Sequence, residues 1–299
     1  MSILNRCIVS FMPLVPKPIV RLVSKRYVAG STLAEAIETV KSLNSQGMCA
    51  TMDLLGESSH DKESCNMAVN EYLNVLEAID KEKLDCNISI KLTQLGLLID
   101  HDLCYENISK IVAKAASVNN FVRVDMEDSS VTDQTIDLFL KLKKEYDNVG
   151  IVIQAYMRQS LSDVRKLSSI KSNFRLCKGI YDEPRKIAYK DPQIVNDNFA
   201  YLIRVALQAG SYVGIATHDE KVVWQSLKLI DELDLERNQY EFQMLLGVDP
   251  ELRSILVNDN HRLRVYVPYG KEWYAYSMRR LKENPKIAIY IIRALFGLR

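Results

Sequence analysis

Near its carboxyl end the chain reads YAYSMRRLKENP, Tyr274 to Pro285, with two arginines side by side, a tyrosine one turn before them and a glutamate one turn after. On a helix, at about 100° per residue, Arg280 falls about +40° from Tyr276, Glu283 about −20° and Arg279 about −60°, so one stripe holds all four. Two guanidiniums on one stripe make a rigid fork for a carboxylate, binding it through charge-assisted, bidentate hydrogen bonds. The same spacing also fits a solvated i, i+4 pair between Arg279 and Glu283, worth about 0.2–0.5 kcal/mol. Tyr274, Met278 and Leu281 lie on the opposite side of the wheel and are compatible with either reading.

A second set of chemically capable residues follows short apolar runs. Asp53 and Glu57 end the first, Lys91 stands in the second, Asp125 and Glu127 in the third, Gln154 and Tyr156 in the fourth. Arg175, Lys178 and Tyr181 belong to the fifth, Thr217, His218 and Asp219 to the sixth, Gln243 to the seventh, Tyr266 and Tyr269 to the eighth. A charged residue at one strand end is commonly a helix cap, but eight such ends together point to one site. Metal chemistry fits this set poorly. The four histidines, His60, His101, His218 and His261, show neither i, i+4 nor HxH spacing, so no metal is expected. No GxSxG elbow offers a serine nucleophile. Lys91 or Lys178 could form a Schiff base, as in a barrel aldolase.

These groups need a scaffold that gathers strand ends. The runs span 48–57, 87–96, 120–128, 149–156, 174–181, 212–219, 240–247 and 263–270, and the segments between them follow helical spacing, as in LAEAIETVKSL and ISKIVAKAASV. Strand then helix, repeated, predicts right-handed parallel βαβ units. Eight repeats without a Gly-rich dinucleotide fingerprint after the first strand favour a closed (βα)8 barrel, an α/β fold whose active site lies at the carboxyl ends of its strands. No Gly/Ser or Pro-rich linker divides the chain. The expected organisation is a helical arm over residues 1–45 and a barrel over 46–299, with the helix after the eighth strand lying over the barrel mouth.

Composition narrows the function class. A net charge of +1 in 299 residues, with no long basic run, gives no support to nucleic acid binding. Six scattered cysteines without a CxxC pair fit a reduced intracellular compartment. Prolines at 13, 16 and 18 interrupt the apolar amino terminus, which reads as a mature arm, and no run approaches the roughly 20 apolar residues of a membrane-spanning helix. A soluble or peripheral protein is expected.

RRLKEN with Tyr276 upstream resembles the YxxRRxxEN signature of proline dehydrogenase, the flavoenzyme also called proline oxidase. RYVAG, DLLGE, ISIKLTQLG, VRVDMED, QAY, RLCKGIY, ATHD, EFQMLLG and VYVPYG are similar to that family's successive segments, and the resemblance covers the chain from about residue 20. It implies a distorted FAD-binding (βα)8 barrel that oxidises L-proline to 1-pyrroline-5-carboxylate by hydride transfer. It also implies that Arg279 and Arg280 bind the proline carboxylate and that Lys91, Asp125, Tyr181, Tyr266 and Tyr276 line the substrate pocket. Glu57 would pair with Arg279 as a gate. Arg175 would stand near flavin N5 and, with Lys91 and Asp125, form the catalytic group.

By the same resemblance Gln154 reaches the flavin pyrimidine edge, and Lys178, Gly179, Thr217, His218, Gln243 and Glu283 contact the rest of FAD. Asp182 departs from the aromatic residue that many bifunctional members carry after KGxY. With no downstream aldehyde dehydrogenase segment the chain resembles a monofunctional member, releasing its product to a separate pyrroline-5-carboxylate dehydrogenase in a transient contact. The family's acceptor is typically a membrane quinone. The apolar tail KIAIYIIRALFGLR, with Arg293 and Arg299 as interfacial cations, suits a cytoplasmic enzyme peripheral at the inner membrane. Two other readings stay open: hydroxyproline oxidation on the same scaffold, against which the bulk of Tyr266 argues, and a flavin-free Schiff-base aldolase barrel.

Overall fold

The computed structural model describes residues 17–56 and 58–283, the side chains of 18, 19, 22, 23 and 279–283 excepted. Eight parallel strands close into a barrel in chain order: β1 (Cys49–Leu54), β2 (Cys86–Ile90), β3 (Val122–Val124), β4 (Val149–Gln154), β5 (Phe174–Cys177), β6 (Val213–Ala216), β7 (Tyr240–Leu245) and β8 (Leu263–Tyr269). The seam is long: β8 pairs with β1 from Arg264 opposite Cys49 to Tyr269 opposite Leu54. The fold expectation is met.

The strands are buried on both sides, but their two faces differ in chemistry. Residues such as Met52, Ile88, Val124, Phe174, Phe242 and Val265 pack outward against the helices in one continuous core. Each contributes roughly 1.5–3 kcal/mol by leaving water. Their neighbours at period 2 point into the barrel and are polar: Thr51 and Asp53, Arg123 and Asp125, Glu241 and Gln243, Arg264 and Tyr266. The barrel interior is therefore a column of hydrogen bonds and ion pairs, and the apolar core is the shell around it.

Between the strands run α3 (Lys62–Lys81), α4 (His101–Ser117), α5 (Thr132–Lys143), α6 (Ser160–Ser168), α7 (Pro192–Gln208), α8 (Glu220–Glu232) and α9 (Pro250–Asn258), preceded by α1 (Lys17–Ser24) and α2 (Leu33–Asn44) and followed by α10 (Trp273–Glu283). Aspartates start several of them: the carboxylates of Asp61, Asp100, Asp191, Asp219 and Asp249 each accept a backbone N–H in the first turn. Thr32 and Glu35 cap α2 reciprocally. Among the described residues no helix is long and apolar enough to cross a membrane.

The two ends of the chain determine how the site is covered. Helix α2 buries Ala36, Val40 and Leu43 against β1 and β8, so it occupies the wall position that the helix after β8 takes in a regular barrel. This leaves α10 free of the wall. It packs instead on α1, and Tyr276 from α10 buries its ring beside Val28, Leu55 and Trp273. A main-chain bond from Ala29 N–H to Pro268 C=O and another from Gly270 N–H to Gly30 C=O tie the segment after α1 to the end of β8.

Candidate active site

The carboxyl ends of the strands surround a cavity of about 550 Å³. Period 2 on the strands and the turns that follow them decide what reaches it. Lys91 follows β2 immediately, two residues beyond Ser89 and so on the same inward face; Asp125 stands in the same relation to Arg123 after β3.

Asp125 is the hub. Its carboxylate accepts from Arg175 Nη1 at 2.6 Å, Tyr266 Oη at 2.8 Å and Ser89 Oγ at 3.1 Å, with Lys91 Nζ at 3.6 Å. Arg175 is held on three sides: Nη1 on Asp125, Nη2 on Ser89 Oγ at 3.1 Å and Nε on Gln243 Oε1 at 2.6 Å. Its guanidinium carbon also lies 5.1 Å from the centroid of the Tyr266 ring. Lys91 donates to Asp53, whose side chain is 2% exposed, so two carboxylates and two cations share one buried network.

Environment separates the two carboxylates. Burial pushes Asp125 up, but Arg175 and Lys91 outweigh it and hold Asp125 below the ordinary range. At Asp53 burial wins over the single cation Lys91, and the carboxyl is pushed up. Burial works against the Lys91 ammonium, yet Asp53 and Asp125 more than restore it, so this lysine stays protonated. Burial, followed by the nearby Asp125 charge, raises the Tyr266 phenol well above its usual value, leaving it a hydrogen-bond donor.

The other wall of the cavity comes from β4 to β7. Gln154 donates its amide nitrogen to the carbonyls of Glu127 at 2.7 Å and Met126 at 3.2 Å; these two acceptors settle which end of the amide is which. Its oxygen, Oε1, is buried and accepts nothing among the described residues. Gly179 has φ +103°, and a Cβ there would lie 2.1 Å from the Tyr156 ring. Lys178 is fixed by Asp219 at 2.6 Å, and this carboxylate also accepts from Asn196 and caps α8. The ammonium hydrogen bond, ahead of the opposing effect of burial, holds Asp219 below its ordinary value. His218 Nε2 accepts from Leu245 N–H at 2.8 Å, so the neutral ring carries its proton on Nδ1.

Each described residue to which the resemblance gives a substrate or cofactor role lines this one cavity: Lys91, Asp125, Arg175, Tyr181, Tyr266 and Tyr276 on one side, Gln154, Lys178, Gly179, Thr217, His218 and Gln243 on the other. The backbone of α10 carries Arg279, Arg280 and Glu283 at three, four and seven residues beyond Tyr276, on the helix that reaches over the mouth. Their side chains, Glu57 and the 286–299 tail lie outside the described residues.

Three strand-end residues turn elsewhere. Tyr269 faces outward and donates to Glu71 on α3 at 3.3 Å, because one residue beyond an inward position reverses the side chain. Tyr156 packs against Met157, Ala188 and Val195 behind the Gly179 loop. Glu127 is taken up by Thr93, whose hydroxyl donates to it at 2.6 Å. Conversely, the sequence pattern gives Ser89 no prominence and presents Asp53 and Asp219 only as strand-end residues without a role. The first two share an inward face with Lys91 and Thr51, a period-2 signal present in the sequence.

Comparison with known proteins follows the same line. The family profile described as proline dehydrogenase matches residues 36–289. Proline dehydrogenase 1 of Bacillus subtilis (strain 168) is 37% identical over 275 residues, 92% of this chain and 91% of the relative. The proline dehydrogenase of Deinococcus radiodurans is 34% identical over 277 residues, 91% of this chain and 89% of the relative. Among solved structures, proline utilization A from Bdellovibrio bacteriovorus, inactivated by N-propargylglycine, superposes with a TM-score of 0.82 at 24% identity, over 88% of this chain and 32% of that longer one, which speaks for the barrel. On the profile and the identities to full-length relatives, this chain belongs to the proline dehydrogenase family.

Proposed function

We propose that this protein oxidises L-proline to 1-pyrroline-5-carboxylate, the first step of proline catabolism, with FAD as its redox cofactor and a membrane quinone as final electron acceptor. The observation that carries this reading is the single cavity in which a fully engaged cation, Arg175, faces a wall built from Gln154, Lys178 and Gly179.

That wall suits a flavin dinucleotide. The unpartnered buried oxygen of Gln154 matches the imide N–H of a flavin pyrimidine edge, and the missing side chain at Gly179 lets main chain approach a large planar or phosphorylated ligand closely. Lys178, Thr217, His218 and Gln243 supply further polar contacts along the wall, and the family resemblance adds Glu283 to the cofactor contacts. When bound, FAD supplies the acceptor for the hydride that leaves C5 of proline.

The chain's own residues position the substrate. Tyr266, tethered through its hydroxyl to Asp125, keeps a rigid aromatic ring in the pocket against the apolar pyrrolidine, and that bulk favours proline over a ring-hydroxylated analogue. Tyr181 and Tyr276 line the remainder, and α10 places Tyr276 over the mouth, where it excludes water. Arg279 and Arg280 bind the carboxylate, with Glu57 as the partner that gates Arg279. Arg175 contributes a fixed positive charge at the pocket floor, where negative charge accumulates on reduction. Lys91 is held as an ammonium by two carboxylates and is no Schiff-base nucleophile, which argues against aldolase chemistry.

One cuvette tests the reading. Protein reconstituted with FAD under anaerobic conditions is expected to show a flavin absorbance band that bleaches on adding L-proline and returns on adding a water-soluble quinone. A protein that takes up no flavin overturns the cofactor assignment; a band indifferent to proline overturns the substrate. Arg280→Met is expected to raise the proline KM by about 10–100-fold with FAD content unchanged, since one charge-assisted bond to the carboxylate disappears. Steady-state kinetics beside a flavin-to-protein absorbance ratio checks it.

A further inference from the structure

Beneath the cavity a chain of side chains runs down the barrel interior, and the reading above uses only its upper end. Arg175 Nε donates to Gln243 Oε1, Gln243 Nε2 donates to Glu241 Oε1 at 2.6 Å, and Glu241 is held from below by Arg264 at 2.7 Å and Arg262 at 3.2 Å. Arg264 closes the chain on the Ala50 carbonyl at 2.6 Å. Glu241 is 2% exposed and Gln243 5%.

The chemistry of the middle link sets a direction. An arginine can only donate and an ionised carboxylate can only accept, so a Gln243 amide between them satisfies both in one orientation, oxygen on Arg175 and nitrogen on Glu241. Reversed, it would set oxygen against carboxylate and N–H against N–H. The space for this amide is itself specified: Gly214, across from Glu241 on the neighbouring strand, would place a Cβ 2.3 Å from Gln243 Nε2. The ion pairs keep Glu241 ionised, down to about pH 2.

We propose that Glu241 is a positioning residue for the reaction: by accepting from the Gln243 amide nitrogen it turns the amide oxygen onto Arg175 and so fixes the guanidinium at the pocket floor. The link to turnover rests on the proposed function; the link to Arg175 geometry does not.

The test compares two neutral backgrounds. Glu241→Met/Arg264→Met removes the acceptor together with its cation, avoiding an unpaired buried charge; Glu241→Gln/Arg264→Met restores an acceptor oxygen alone. The first readout is hydrogen exchange at the Arg175 Nε–H, followed by 15N NMR on protein without added flavin and identified by the cross-peak that Arg175→Lys removes. The second is steady-state proline oxidation after FAD reconstitution. In the Met/Met protein exchange is expected to accelerate about tenfold and kcat to fall about tenfold with KM within about threefold, because a buried Gln243 nitrogen left unsatisfied pulls the amide away. The Gln/Met protein should behave like the parent in both.

Parent-like exchange in a folded Met/Met protein overturns the proposal, and so does faster exchange with unchanged kcat. If the parent itself oxidises no proline, the functional reading fails and the exchange arm still decides the geometry. Should Met/Met not fold, Gly214→Ala replaces it: the added methyl displaces the Gln243 amide while leaving both ion pairs of Glu241 in place, and parent-like exchange there overturns the proposal equally.

Discussion

Arg175→Met is expected to lower kcat for L-proline by about 10²–10³-fold, the range seen when one preorganised electrostatic donor is removed from an active site. Arg175 spends its three donor groups on Asp125, Ser89 and Gln243, so it does not move to meet charge; it is already in place. Methionine matches much of its volume and none of its charge. The loss should fall on kcat, since the proposed holders of the substrate carboxylate, Arg279 and Arg280, stand on another element.

The same substitution also removes the cation that does most to hold Asp125 ionised. Asp125 then keeps Lys91 at 3.6 Å and the hydroxyls of Tyr266 and Ser89, and breaking a buried pair from one side costs about 3–5 kcal/mol. A double variant separates the two effects. Arg175→Met/Asp125→Asn neutralises both members, so thermal stability should return toward the parent while kcat stays low. If activity returned with stability, Arg175 would be a structural partner of Asp125 and nothing more.

The barrel could be read from the sequence because its outer face obeys a simple rule: Met52, Ile88, Val124, Phe174 and Phe242 are apolar since they meet helices. Strand lengths were less readable. The run at 120–128 forms only three strand residues, Val122–Val124, and its remainder turns to deliver Asp125, as suits a run whose end belongs to a site. The apolar runs show the outer shell and leave out the inner column, where Ser89, Glu241 and Arg264 alternate with apolar neighbours.

Which residues share the mouth followed from the rule that strand ends converge, yet which cation meets which carboxylate did not. Tyr266 and Asp125 are 141 positions apart, and Arg175 and Asp125 are 50 apart; closure of the barrel brings them together and no local pattern encodes the pairing. Tyr269 illustrates the cost of a single register step: it lies three residues from Tyr266, on the opposite face. The position of α10 depended on α2 covering the seam between β8 and β1, a contact between the two ends of the chain that spacing alone could not supply.

Gly179→Ala is expected to weaken FAD binding by about 100-fold. The residue sits at φ +103°, a region that side-chain-bearing residues avoid, and its Cβ would overlap the Tyr156 ring at 2.1 Å. Relief by moving the ring is obstructed, since Tyr156 is buried among Met157, Ala188 and Val195 and its N–H is bonded to the Lys178 carbonyl. The loop must move instead, and with it Lys178, which Asp219 holds against the cavity wall. Quenching of flavin fluorescence on titration with protein measures the affinity. Once saturated with FAD, the variant should show a proline KM that rises by less than the loss of FAD affinity, because of the described pocket residues only Tyr181 follows this loop while Tyr266 and Tyr276 stand on other elements. Tyr156→Ala/Gly179→Ala opens room for the methyl without changing φ, so it should recover only part of the affinity. Full recovery would assign the whole effect to the clash, no recovery would assign it to the backbone, and parent-like binding by Gly179→Ala alone would mean that this loop does not cradle the cofactor.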